Sequence, residues 1–78
     1  MNKIMTYNFV AEITRDHEIN QYIGIVPSLP GAHSQASTLD ELYRNLQEVI
    51  LLCLQELTEE EIKEIPDFIG TQNISVAV

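Results

Sequence analysis

Two prolines and a glycine packed into residues 27–31 constrain this chain more than any other feature. Ahead of them, Tyr22-Ile23-Gly24-Ile25-Val26 is short and rich in β-branched residues, as a strand is. It runs straight into Pro27-Ser28-Leu29-Pro30-Gly31. Neither proline has an N–H to give to a sheet ladder, so the strand must stop there. Gly31 after Pro30 suits a turn position that needs positive φ. Residues 32–36 then read as another strand, short, mostly polar and at a sheet edge.

A helix follows at once. In Thr38-Leu39-Asp40-Glu41 the threonine hydroxyl can accept from the Glu41 N–H while the glutamate reaches back, the pattern of a capping box. Asp40 and Glu41 also sit at the positive end of the helix dipole. Leu39, Leu42, Tyr43, Leu46, Val49, Ile50, Cys53 and Leu57 recur with helical spacing and form one apolar stripe. Leu51 and Leu52 fall outside it, on the side held by Asp40, Arg44, Glu48 and Gln55. Two fates are open to them: burial under the C-terminal segment, or an oligomer interface.

Upstream, Met5, Tyr7, Phe9 and Ala11 alternate onto one face of a first strand over residues 4–13. A polar connector over residues 15–20 leads to Tyr22. Downstream, Thr58-Glu59-Glu60-Glu61 repeats the capping pattern and opens a short helix to Glu64. Phe68 and Ile69 are expected to tuck into the core. Ile74, Val76 and Val78 alternate with Ser75 and Ala77 as a terminal strand. The sum is an α+β fold, β-β-β-α-β with a short extra helix. Three antiparallel strands form a meander, the last strand lies beside the first, and one long helix covers one face of a sheet of about four strands. The uncovered face calls for a partner, so a homo-oligomer, dimer or higher, is expected. Residues 1–78 make one domain, near the lower size limit for a self-sufficient core.

Charge narrows the function. Twelve acidic residues against four basic ones give a net charge of −8. Autonomous binding to nucleic acid or to an anionic membrane needs the opposite sign. A basic protein partner suits this surface, and so does plain solubility. One cysteine excludes an internal disulfide and a multi-cysteine zinc site. The longest apolar run is residues 49–54, and no leader is evident, so a cytoplasmic protein is expected.

No set of side chains reads as an active site. A two-metal nuclease needs converging carboxylates, whereas the expected strands offer Glu12 alone and Glu48 points away from the sheet. His17 lies in the polar connector as a solvated side chain. His33, beside Ser34, lacks an orienting group and an oxyanion site and reads as a structural or partner contact. Cys53, in the helix stripe, reads as a small buried hydrophobe. The three glycines are too far apart for a phosphate loop. The expectation is a chain that is not an enzyme and uses no metal or cofactor.

The order of these parts resembles the HicB-like antitoxin family, with its partial RNase H-type domain. The resemblance is carried by residues 22–31, then Ser34, then the Thr38-capped helix. Family members commonly have an acidic residue at the place of Ser28, often cysteine at that of Ala32, and a glycine-rich turn before Tyr22. The resemblance implies an antitoxin of a type II toxin–antitoxin module. Its partner would be a small basic mRNA interferase, HicA-like, whose RNA site it occludes. It places the partner contacts at Pro27, Ser28, Leu29, Pro30, Gly31, His33 and Ser34. Many relatives add a C-terminal DNA-binding domain, which is not expected on a chain ending at Val78. A solitary HicB-like oligomer, structural or regulatory and without a cognate toxin, is the alternative.

Overall fold

The structure is a computed structural model that describes residues 6–78. Three strands, β1 (Glu12–Asp16), β2 (Gln21–Ile25) and β3 (His33–Ala36), form an antiparallel sheet in the order β1-β2-β3. They precede a long helix, α1 (Leu39–Glu56), and a short one, α2 (Glu59–Lys63). The meander and both helices stand as expected; the ends of the chain do not. The first strand was expected over residues 4–13, of which Ile4 and Met5 lie outside the described residues. Pairing begins only at Glu12, opposite Ile25. Continued one step further along the same face, the ladder would set residue 10 against Pro27, where β2 has already turned away. Residues 6–11 carry on beyond the sheet instead, with Phe9 and Ala11 packed against the core.

The β1–β2 connection is tighter than the expected connector. Asp16 pairs with Gln21, so residues 17–20 form the whole loop. Asp16 Oδ1 accepts from the Glu18 N–H at 2.9 Å. Asn20 supplies a left-handed residue at φ 54°, the conformation for which glycine is usually chosen and asparagine is the next choice. Its side chain also accepts from the Arg15 guanidinium, which sits 5.4 Å from the centre of the Tyr22 ring.

Helix α1 packs on β3 and β2. Its N-cap is Thr38, whose Oγ1 accepts from the Glu41 N–H at 3.1 Å. The expected capping box is only half made. Glu41 does not return to the Thr38 N–H; it accepts from the Ser37 hydroxyl at 3.4 Å. The full reciprocal box occurs at α2, where Thr58 and Glu61 exchange bonds of 3.0 and 3.1 Å. Within the helix stripe Leu42 and Leu46 are buried, whereas Leu39 and Tyr43 remain exposed at its rim. The close fit of helix to sheet depends on Gly24: a Cβ there would lie 2.8 Å from Leu46 Cδ1 and 3.5 Å from Leu42 Cδ1.

Cross-strand partners share a face, so Gly24 identifies the helix-side residues of the sheet as Ile13, Arg15, Tyr22, Ser34 and Ala36. The other face carries Glu12, Thr14, Asp16, Gln21, Ile23, Ile25, His33 and Gln35. It is polar apart from two isoleucines, a composition that water covers adequately. The argument that this face must find a partner therefore loses its force.

Two further expectations are corrected at the C-terminal end. Phe68 and Ile69 do not enter the core; both are exposed. Residues 74–78 do not pair with β1, and every residue from position 66 onward is exposed. Leu51 and Leu52 are consequently not covered by this segment, and each remains 56% exposed. Among the described residues no helix is long and apolar enough to cross a membrane.

Candidate partner-binding groove

The link between β2 and β3 is two turns in succession, closed by backbone bonds. Leu29 N–H donates to Val26 C=O at 3.2 Å, Ala32 N–H to Leu29 C=O at 3.0 Å, and Val26 N–H to Ala32 C=O at 2.9 Å. Pro27 and Pro30 each take the second position of a turn, where a fixed φ is an advantage. Gly31 takes the third position of the second turn at φ 87°, as a type II turn requires. Val26, Leu29 and Ala32 turn inward and are each only 2% exposed. Pro27 and Pro30 are left outside, with Ser28 half-buried between them.

This turn forms one wall of a groove of about 550 Å³, lined by Pro27, Ser28, Leu29 and Pro30. The opposite wall and floor come from the end of α1 and from α2: Cys53, Glu56, Leu57, Glu61, Glu64, Ile65 and Pro66. Leu57 makes this arrangement. Its extended backbone (φ −87°, ψ 145°) ends α1 and redirects the chain, so that α2 comes back beside the turn. The groove therefore has an apolar floor, three carboxylates on one side and no basic residue in its lining.

The electrostatics point one way. Helix α1 has no basic residue in its last turn and ends on Glu56, so its C-terminal dipole adds to the carboxylate charges rather than offsetting them. Glu61 is held in place by its bonds with Thr58. The Thr58 N–H, and after it the Thr58 hydroxyl, lower its carboxyl pKa, outweighing a small opposing effect of burial. Glu61 is thus fixed in geometry and charged. Glu61 is thereby satisfied at the N-terminus of α2, whereas Glu56 closes α1 with no basic residue in its last turn.

The residues expected to meet a partner divide. Pro27, Ser28, Leu29 and Pro30 come together in the groove, Leu29 mainly as the buried anchor of the turn. Gly31 sits at the corner with nothing within 4 Å of where a side chain would begin. His33 lies on the open sheet face opposite Ile25, and Ser34 lies on the helix side opposite Gly24, so neither joins the groove. Leu51 and Leu52 lie elsewhere on α1, Leu51 in a separate groove beside residues 6–9. Cys53 is half-buried and lines the groove, less enclosed than expected. Sequence reading missed the acidic wall. Its one visible sign was the second capping pattern, which sets α2 and hence Glu61.

The strands hold a second carboxylate besides Glu12, because β1 extends to Asp16, but Asp16 caps the following loop. Among the described residues no three His, Cys, Asp or Glu side chains gather as a metal site.

Comparison with known proteins gives three relatives of similar length. The chain is 43% identical to UPF0150 protein ssr1258 of Synechocystis sp., covering 97% of this chain and 100% of that protein. It is 41% identical to a UPF0150 protein of Thermotoga maritima, over 87% of this chain and 88% of the other. It is likewise 41% identical to a UPF0150 protein of Archaeoglobus fulgidus, over 87% and 93%. No family model matches the chain, and no solved structure does.

Proposed function

We propose that this chain, which belongs to the UPF0150 family, is a binding protein that captures a small basic protein in the groove between residues 27–30 and α2. The observation that carries the reading is the groove itself. A long basic side chain laid into it would rest its methylenes on Leu57, Ile65 and the two prolines while its cationic head meets Glu56, Glu61 and Glu64. The net charge of −8 would speed the encounter through long-range attraction.

The HicB-like resemblance gives this partner a role. The chain is read as the antitoxin of a cytoplasmic type II module, and its partner as a small mRNA interferase whose RNA site it occludes. The same reading takes the three-stranded antiparallel sheet and its covering helix as a partial RNase H-type domain.

Co-expression with the product of an adjacent gene encoding a small basic protein is the direct test. Growth rescue and a stable complex are expected; a toxic neighbour that is neither bound nor neutralised ends the reading. The groove is tested separately with Glu56→Gln and Glu64→Gln, which leave the Thr58–Glu61 cap intact. Together they should weaken the complex at least tenfold, chiefly through faster dissociation, and reduce the salt dependence of association. Cys53, the chain's one cysteine, serves as reporter: a partner seated in the groove should slow its modification by a thiol reagent.

A further inference from the structure

The chain leaves a strand without a sheet and a sheet edge without a strand. Ile74, Val76 and Val78 are 72%, 77% and 123% exposed, and they alternate with Ser75 and Ala77. That is a two-sided strand pattern, apolar on one side and small on the other. Each of its residues is exposed. The molecule measures 53 × 32 × 18 Å. Its radius of gyration is 15.1 Å, against roughly 11.5 Å for a compact domain of this length.

The complementary edge belongs to β1. This strand pairs with β2 alone, so the N–H and C=O groups along its outer side meet no strand among the described residues. On the helix side of the sheet, at this margin, Ile13 is still 52% exposed. A strand added here with Ile74, Val76 and Val78 on the helix side would cover Ile13 and present Ser75 and Ala77 to the polar face. The β3 edge offers no such match. Its helix-side residues are Ser34 and the already buried Ala36, and Asn45 donates to its Gln35 carbonyl at 3.5 Å.

We propose that two copies of this chain exchange residues 74–78, each adding them as a strand to the β1 edge of the other. The starting point of the segment fits. Residues 66–71 border a hollow of about 460 Å³ with Val10, Glu12, Pro27 and Ser28, so the segment departs beside the beginning of β1. A two-fold axis near that point sends each segment towards the other copy, and the exchange closes on itself as an isologous dimer. Main-chain bonds supply the attachment and the alternating side chains the register. This proposal is independent of the acidic groove, which lies between the turn and α2.

Sedimentation of the full chain at micromolar concentration should give twice 8.9 kDa. The discriminating variants are Ser75→Pro and Val76→Pro. Adjacent strand residues point their N–H groups to opposite sides, so one of the two prolines must strike the ladder. At least one variant should sediment at 8.9 kDa with its helical circular dichroism unchanged, while a Leu51→Asp, Leu52→Asp double variant stays dimeric. Three results would each overturn the proposal: a monomeric wild type, a dimer that survives both prolines, or a dimer abolished by the changes at Leu51 and Leu52.

Discussion

Adding one methyl group at Gly24 is the sharpest probe of how α1 sits on the sheet. Two effects oppose each other in Gly24→Ala. Replacing glycine reduces the freedom of the unfolded chain, which stabilises by about 0.4–1 kcal/mol where the backbone tolerates it. Against this, the new Cβ would stand 2.8 Å from Leu46 Cδ1 and 3.4 Å from Leu46 Cδ2. Carbon atoms in good contact sit about 3.5–4.0 Å apart. Leu46 is only 6% exposed and sits among Leu42 and Val26, 1% and 2% exposed, but it also borders the groove beside residues 6–9, so a shift of its Cδ atoms relieves part of the clash. Overpacking of this kind costs about 1–3 kcal/mol. The net effect should be a loss of about 1 kcal/mol, taking the two ranges near their centres. That corresponds to a fall in Tm of about 4–8 °C for a domain of this size. Urea unfolding at fixed protomer concentration measures it, because self-association would otherwise move the midpoint. Leu46→Ala provides the second background. Alone it should cost about 2–5 kcal/mol. With the leucine gone, Gly24→Ala should become neutral or stabilising, a coupling of at least about 0.5 kcal/mol. A higher midpoint for Gly24→Ala in the native background, or the same shift in both, would refute the reasoning.

Three other perturbations have definite expected outcomes. Thr38→Ala should cost about 1 kcal/mol, the usual worth of an N-cap side chain, and an unchanged urea midpoint at constant slope would contradict it. Gly31→Ala places a side chain at φ 87° and should cost about 1–3 kcal/mol through strain alone, since the space around it is empty; thermal melting checks it. Glu61 should titrate below the ordinary glutamate range by NMR, and Thr58→Ala should bring it back up. Its folded pKa is lowered, so its stabilising contribution is fully present above the unfolded value of about 4.3 and is lost as pH falls through the folded one.

Most signals that act within a few residues hold, the half-made capping box at Thr38 excepted, whereas strand ends, which depend on a distant neighbour, do not. Helix α1 begins at Leu39 and ends before Leu57 because a cap and a periodic stripe are local properties. The double turn was legible for the same reason, since Pro27, Pro30 and Gly31 restrict their own backbones. The first strand was misplaced because alternation tells which side chains face inward, not where a partner strand ends. Tyr7, Phe9 and Ala11 alternate as a strand would, yet β2 stops at Ile25. The terminal strand fails similarly: its pattern is present in Ile74, Val76 and Val78, but alternation does not say whether the segment reaches the open edge of β1. The groove was half visible. Its turn could be read from the prolines, whereas Glu56, Glu61 and Glu64 become neighbours of that turn only through the bend at Leu57.

The double turn also limits how this surface can diversify. Val26, Leu29 and Ala32 supply half of the six buried core residues among those described, a share that connecting loops rarely take. A new specificity cannot be reached by lengthening or reshaping this loop, as it can in an antibody, because each such change would open the core. Innovation is confined to what Pro27, Ser28 and Pro30 display and to the charges opposite them. The loop should therefore behave in hydrogen exchange like core, with the Val26 and Ala32 amides among the slowest in the chain. The turn has the rigidity of a keystone, able to change its finish but not its shape.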